Sequence, residues 1–362
     1  MITQLELTNF SAFDHLKVDF SKRVNLLVGK NNTGKTKLLK AAYAVASGGR
    51  LLRNKPETSN DELQSFLTDQ LMGLFIPLNK QLGGLVHIDP RTNGANVKKT
   101  AQIQGLMDSG ERVTIGFGKD SQSITLFSEI DLQQYRANPV YMPTKEILSF
   151  MEGFNSLIER YPFSFDQTYQ DMYRLLELPN LQEEKRHALA TRVIAQVREI
   201  CDGQFIFRDD GKVTFTSSDG IESSANSVSE GFRRMGLLAR LLETGAIEPG
   251  SAGSLYWDEP ETNLHPKLMR FLAETLLDFS RNKQQIVIAT HDYVLLKWFD
   301  LLMDKEKGDE VAFHTMYRDG ESERIQVETV YEYSAVGESA IADTYKDITM
   351  AQVRQQLGSL GQ

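Results

Sequence analysis

One cysteine, Cys201, stands in 362 residues. That count rules out an internal disulfide and a cysteine-rich zinc site, and it fits a reducing compartment. No apolar run nears the ~20 residues needed to span a bilayer. The opening "MITQLELTNF" alternates apolar and polar residues where a secretion signal would carry an unbroken apolar stretch. Positive charge is also short: 40 Lys and Arg against 49 Asp and Glu leave a formal net charge of -9. Such a balance does not indicate nucleic-acid binding, and the pair Lys98-Lys99 is too short to make a basic patch. Internal repeats and low-complexity tracts are missing as well. These absences predict a soluble, cytoplasmic protein with no membrane partner.

What is present is apolar residue in quantity, 41% of the chain, enough for a sizeable core and for two domains or one domain with a large insertion. "ITQLEL" and "HLKVDF" alternate with period two and read as strands, and "RVNLLVG" is a short apolar run ending in glycine. "KTKLLKAAYAVAS" reads as a helix stopped by Gly48-Gly49. "NDELQSFLTDQLMGLF" reads as a second helix with Asn60 as its cap, and "ERVTIGFG" with "QSITLFSEI" as a hairpin around "KDS". Residues 144–200 carry a mainly helical pattern broken by Pro162 and Pro179, which argues against one long coiled coil. "QFIFRDDGKVTFTSSDG" reads as a hairpin turning at Asp210-Gly211. The remainder returns to α/β alternation: a helix after Ser229, the strand "SLYW", a helix over 266–279, the strand "QQIVIAT", and closing strands "EVAFHTMYR" and "RIQVETVYEY". The expected fold class is therefore α/β, with residues 1–50 and 205–362 as two halves of one unit. Residues 51–204 are expected as a mostly helical insertion with a small β part.

Gly29, Lys30, Asn31, Asn32, Thr33, Gly34, Lys35 and Thr36 follow the strand "NLLV" and open a helix. They satisfy G-x-x-x-x-G-K-[ST] in the strand–loop–helix setting that gives the pattern its meaning. Glycines let backbone N–H groups turn inward around a phosphate, and the helix start adds partial positive charge. Lys35 supplies a point charge for the β- and γ-phosphates, and the Thr36 hydroxyl is a natural Mg²⁺ ligand.

In "GSLYWDEPETNLHP" three large apolar residues run straight into Asp258 and Glu259. Charge beside a buried strand is unfavourable unless something meets it. A nucleotide-bound Mg²⁺ would do so: Asp258 at the carboxyl end of a strand is placed to serve it, beside Lys35 in a parallel sheet. Glu259, one residue on, points elsewhere and suits polarisation of an attacking water. ATP and Mg²⁺ are the expected cofactors.

With both motifs in place the chain resembles the ABC-type ATPases, and among them the OLD-like (overcoming-lysogenization-defect) group. The resemblance rests on residues 29–36, "SVSEGFRR" at 227–234, "LYWDEPETNLHP" at 255–266 and "IVIATHD" at 286–292. The start "LELTNFSAF" is also similar to openings in SMC-type and RecF-type ATPases. Residues 50–205 are covered only loosely. The resemblance implies an ABC-type P-loop head, with a mixed sheet flanked by helices and an antiparallel β subdomain. It also implies that two copies pair head to tail around two MgATP.

In that family the signature segment binds the γ-phosphate held by the facing protomer. Here Val228, Ser229, Glu230, Gly231 and Phe232 stand where Leu-Ser-Gly-Gly-Gln is usual, so Ser229 and Gly231 are kept while Glu230 brings a negative charge to be neutralised. Ser229 reads equally as a plain helix cap. His291 matches the switch histidine that hydrogen-bonds the γ-phosphate, and Asn263 lies in the loop that crosses the pair. The glutamine that usually precedes the helical region is replaced by Thr144, Lys145 and Glu146. Phe10 and Phe13 are the candidates to stack on adenine, each equally readable as core. Glu259 and His291 are thus the expected catalytic residues.

The resemblance further implies a switch acting with a separate effector, a nuclease or toxin, in a bacterial antiviral or toxin-like module. Only about seventy of the 362 residues follow His291, too few for the fused nuclease domain of some members. The alternative is a RecF- or SMC-like ATPase of DNA repair or genome maintenance.

Overall fold

The computed structural model describes residues 1–88, 100–127, 135, 137–154, 156, 160, 165–208, 210–320, 323–336 and 350. Lys98, Lys99 and Pro162 lie outside the described residues.

The central element is a six-stranded sheet in the order β14-β13-β3-β12-β11-β7. Its strands are β3 (Val24–Gly29), β7 (Pro139–Met142), β11 (Gly253–Asp258), β12 (Gln284–Thr290), β13 (Val311–Arg318) and β14 (Ile325–Val330). All neighbours are parallel except the β13–β14 pair. β3, β11 and β12 are buried along their whole length, and their near-continuous apolar runs are what a sheet covered on both faces demands. Alternation then divides the core. Leu26, Leu255, Trp257 and Ile288 face one apolar cluster, and Leu27, Tyr256 and Val287 face the other. Pro139 opens β7 at the sheet edge, where its missing N–H is tolerated.

The second sheet is antiparallel, in the order β2-β1-β4-β5-β6. It joins β1 (Ile2–Phe10) and β2 (Phe13–Asp19) to β4 (Thr100–Met107), β5 (Arg112–Gly118) and β6 (Thr125–Leu126). A third small sheet, β10-β9-β8, contains β8 (Gly203–Phe207), β9 (Val213–Ser217) and β10 (Glu222–Ser224). The helices are α1 (Lys35–Asn54), α2 (Asn60–Phe75), α3 (Gln167–Leu176), α4 (Ala188–Cys201), α5 (Glu230–Glu243), α6 (Pro266–Arg281) and α7 (Tyr293–Leu302). The α/β class expected from the sequence is that of this structure, and a mixed sheet flanked by helices with a separate antiparallel sheet is the arrangement the resemblance implies.

Several local expectations change. β4 was not anticipated, and it pairs directly with β1 from the opening hairpin. β7 forms the edge of the main sheet. The boundaries expected near residues 51 and 204 therefore cut across two sheets that share strands from both sides. α1 runs through Gly48-Gly49 instead of stopping there. A Cβ on Gly48 would sit 2.8 Å from the Tyr135 hydroxyl and 3.2 Å from Leu63, so this glycine serves close packing rather than termination. The cap of α2 is Ser59, not Asn60: its hydroxyl accepts from Glu62 N at 3.3 Å while Glu62 accepts from Ser59 N at 2.9 Å, a reciprocal capping box.

Candidate functional site

Parallel strands bring their carboxyl ends to one side of the sheet, and the residues after β3, β7, β11 and β12 meet there. In register, Val28 pairs with Thr290, Ala289 with Asp258, and Met142 with Trp257. Crevices outside strand carboxyl ends are where open α/β sheets bind ligands.

The loop after β3 is built for close approach. At Gly29 (φ 155°) a Cβ would lie 2.3 Å from the Met316 carbonyl oxygen, and at Gly34 (φ 89°) it would meet the Phe13 ring at 2.8 Å. Asn32 is also left-handed, with φ 65°, and the Thr33 hydroxyl donates to the Lys30 carbonyl at 2.8 Å, holding the turn. Asn31 is exposed beside them. α1 starts at Gly34 with no side-chain cap and no acid in its first turn, whereas α2 through α7 each have a capping side chain. Lys35 and Lys37 sit at that same positive end. Cations at an uncapped helix start are unfavourable without an anion, so this terminus suits a phosphate.

Lys35 is buried, and its ammonium donates to the carbonyls of Gly29 (2.7 Å) and Lys30 (3.0 Å). Two of its three protons are used and one remains for a ligand. Burial pushes its pKa down, opposed by the nearby carboxylates of Glu259, Asp258 and Glu261.

Asp258 ends β11 and is buried. One carboxylate oxygen accepts from the Thr36 hydroxyl and the other from the Thr144 hydroxyl, each at 3.1 Å. Burial raises its pKa while these two hydroxyls lower it. Among the described residues no three His, Cys, Asp or Glu side chains converge as a metal cage. One carboxylate beside a hydroxyl fits a Mg²⁺ ion, which keeps several waters and shares its shell with substrate phosphates.

Glu259 leaves the strand through φ 49° while its N–H bonds the Ala289 carbonyl at 2.8 Å. Beyond that left-handed step its partly exposed side chain reaches His291, whose Nδ1 lies 3.4 Å from Glu259 Oε1. The His291 ring is half exposed. Glu261, two residues on, is buried: its Oε1 accepts from the Thr290 hydroxyl (2.7 Å) and the His291 N–H (3.1 Å), and lies 3.6 Å from His291 Nδ1.

Ser229, Gly231 and Asn263 form a separate group. Ser229 is exposed and caps α5 by accepting from Phe232 N at 3.4 Å. Gly231 packs on the loop after β11, where a Cβ would approach the Asn263 carbonyl to 2.7 Å. Asn263 is exposed with φ 59°. The charge of Glu230 faces Arg234 at 3.5 Å. Within one chain, then, residues 29–36, Asp258, Glu259 and His291 gather at the sheet end, while Ser229 and Asn263 face solvent and Gly231 is buried.

The structure also names residues to which the motifs gave no role. Arg234 is buried and donates to the carbonyls of Thr144 and, at 3.5 Å, Glu259. Arg233 binds buried Glu146 at 2.7 Å. Thr144 and Glu146, standing where a glutamine is usual, thereby tie Asp258 to α5. The only signal for these arginines was their place in "SEGFRR". Phe10 and Phe13 are fully buried, Phe10 against Phe75 and Phe13 beneath Gly34, so both are core. A groove of about 340 Å³ between α4 and α6 shares no residue with this site, and its cations are already paired, Arg192 with Asp278 and Arg281 with Asp309.

A model of the family described as "AAA domain, putative AbiEii toxin, Type IV TA system" matches residues 98–297, and one described as "AAA ATPase domain" matches residues 1–88. The DNA replication and repair protein RecF of Bacillus mycoides is 25% identical over 150 residues, 39% of this chain and 39% of that protein. This chain thus aligns with about two fifths of that RecF relative. A Helicobacter pylori protein described as an ATP/GTP phosphatase is 20% identical over 371 residues, 88% of this chain and 93% of that one. Among solved structures, an SMC head bound to the C-terminal winged-helix domain of ScpA superposes with a TM-score of 0.54 at 12% identity, over 92% of this chain and 98% of that one. An SMC head with an extended coiled coil, bound to a ScpA domain derived from Pyrococcus furiosus, gives 0.51 at 12% identity over 97% and 99%. Both describe the fold.

Proposed function

The chain belongs to this family of AAA domains and is an ATPase, and on that premise we propose that it is a switch that pairs head to tail around two MgATP. The observation that carries the reading is buried Asp258, held between the hydroxyls of Thr36 and Thr144 beside a lysine-filled glycine loop. Residues 29–36 bind the phosphates through backbone N–H groups, and Lys35 gives its remaining proton to them. Thr36 and Asp258 hold Mg²⁺, which when bound offsets charge on the phosphates. Glu259 orients and polarises the attacking water. His291 keeps Nδ1 toward the carboxylates and offers Nε2 to the terminal phosphate.

Ser229, Gly231 and Asn263 act on the facing copy's nucleotide. Support for this lies in the exposure of Ser229 and Asn263, with Gly231 buried against the Asn263 carbonyl, and in the absence, among the described residues, of a hydrogen bond from Ser229 to residues 29–36. Charge-assisted hydrogen bonds to a shared phosphate form only in the closed pair, and hydrolysis removes them. With MgATP, Glu259→Gln is expected to slow hydrolysis about 10²-fold or more and to accumulate a dimer in light scattering. A variant that binds ATP normally yet stays monomeric would falsify the composite site.

The finer assignment is an OLD-like regulatory ATPase of a cytoplasmic antiviral or toxin-like module with a separate effector such as a nuclease. The toxin–antitoxin description attached to the matching family favours it. A RecF- or SMC-like role in genome maintenance is favoured by the RecF identity and predicts ATP-dependent DNA binding with a steep salt slope. DNA titrations at two salt concentrations separate the two.

A further inference from the structure

Glu261 is a buried acid to which the proposed phosphate and Mg²⁺ contacts give no role. It lies on the loop after β11, yet its partners come from the end of β12. Oε1 takes the Thr290 hydroxyl at 2.7 Å and the His291 backbone N–H at 3.1 Å, and it stands 3.6 Å from His291 Nδ1. Oε2 is buried with no partner among the described residues. The hydrogen bonds from Thr290 and His291 thus both fall on the oxygen that faces the His291 ring. Burial drives the carboxyl's pKa up, and the Thr290 hydroxyl, backbone N–H groups and His291 pull it down. A carboxyl needed only to tie two loops together would be better replaced by a neutral amide or hydroxyl, because burying an acid is unfavourable.

We propose that Glu261 is the positioning residue for His291, fixing its backbone and the Nδ1 side of its ring so that Nε2 points at the terminal phosphate. This rests on the reading of His291 as the phosphate-sensing residue. Glu259 Oε1, at 3.4 Å, approaches the same nitrogen from the water side. The imidazole therefore stands between the acid that activates water and the acid that anchors it. A smaller side chain in place of Glu261 would free the ring to rotate.

The test is a double-mutant cycle on the full chain with ATP hydrolysis, ATP titration and imidazole NMR as readouts. Glu261→Gln keeps an oxygen for Thr290 and the His291 N–H but loses the carboxylate. It is expected to lower kcat on the order of tenfold, with KM for ATP changed less than about twofold. In a His291→Ala background the same substitution is expected to have almost no further effect. An undiminished loss in that background overturns the proposal, as does a loss confined to KM. The chain has six histidines, and the His291 ring resonances, identified by their disappearance in His291→Ala, are expected to shift in Glu261→Gln. Unshifted resonances also overturn it. Full hydrolysis by His291→Ala with shifted resonances would instead remove the phosphate role of His291 while leaving the Glu261–His291 contact standing. Should Glu261→Gln fail to fold, Thr290→Val removes one donor from Oε1 and is expected to show the same non-additivity.

Discussion

At the scale of single residues, Lys35 shows how burial and charge are balanced for binding. Its ammonium spends two protons on loop carbonyls, and burial makes it eager for an anion. Lys35→Ala is expected to weaken nucleotide binding about 10- to 100-fold, the value of a hydrogen bond to a charged group, measured by titration calorimetry. An unchanged isotherm would contradict the phosphate assignment. His314 behaves differently. It is enclosed in the main sheet between Thr329 (2.8 Å) and Asn25 (3.1 Å), and burial lowers its pKa to about 4. The folded state therefore binds its proton less readily than the unfolded chain. Stability is complete above the unfolded value near 6.5 and is lost as pH falls toward 4, by roughly 3 kcal/mol. Melting curves at pH 7 and pH 5 are expected to differ more for the native chain than for His314→Gln; equal differences would refute this.

At the scale of elements, α1 couples the phosphate loop to the helices beyond it. Asp171 of α3 is buried and accepts from Tyr43 (2.5 Å) and Arg50 (3.1 Å) of α1, Gln70 (3.2 Å) of α2 and Gln167 (3.0 Å) of α3. Burial alone would raise its pKa, but Arg50 and these donors prevail and hold it below the usual carboxylate range. Lys40 of α1 adds a 2.6 Å contact to Asp166, the cap of α3. Asp171→Ala strands the Arg50 charge and is expected to destabilise the chain by about 3–5 kcal/mol. That is a large part of a stability of ~5–15 kcal/mol, and a shift of the urea midpoint measures it. A midpoint within error of the native one would show that Arg50 finds another partner. The network was not legible in the sequence: its members lie up to 128 positions apart, and nothing local marks Asp171 among the acids of a helical stretch.

At the scale of the whole molecule, the proposed composite site needs two copies of the chain. Each copy carries a formal charge of -9, so two copies repel at long range and close contact depends on local donors around the phosphates. A Lys35→Ala chain lacks its own phosphate site but offers an intact signature; a Ser229→Arg chain offers the reverse. Each alone is expected to be inactive, while their mixture is expected to hydrolyse ATP at one site per mixed pair. No recovery on mixing, with both variants folded, would place Ser229 outside the site.

Short-range pattern determined much of this protein. The apolar runs, the glycine loop at residues 29–36 and the acid pair at 258–259 depend on neighbours within a few positions, so β3, β11 and the start of α1 could be read directly, whereas the cap of α2 was missed by one residue. Ser229 and its helix were legible for the same reason. Pairing between distant segments could not be read, and it is what the tertiary structure decided: β4 beside β1, Thr144 on Asp258, Glu261 on His291, and Gly48 under Tyr135. Periodicity reports which face of an element is buried, but only the folded chain fixes what that face meets, because the partner is chosen by closing long loops rather than by local preference.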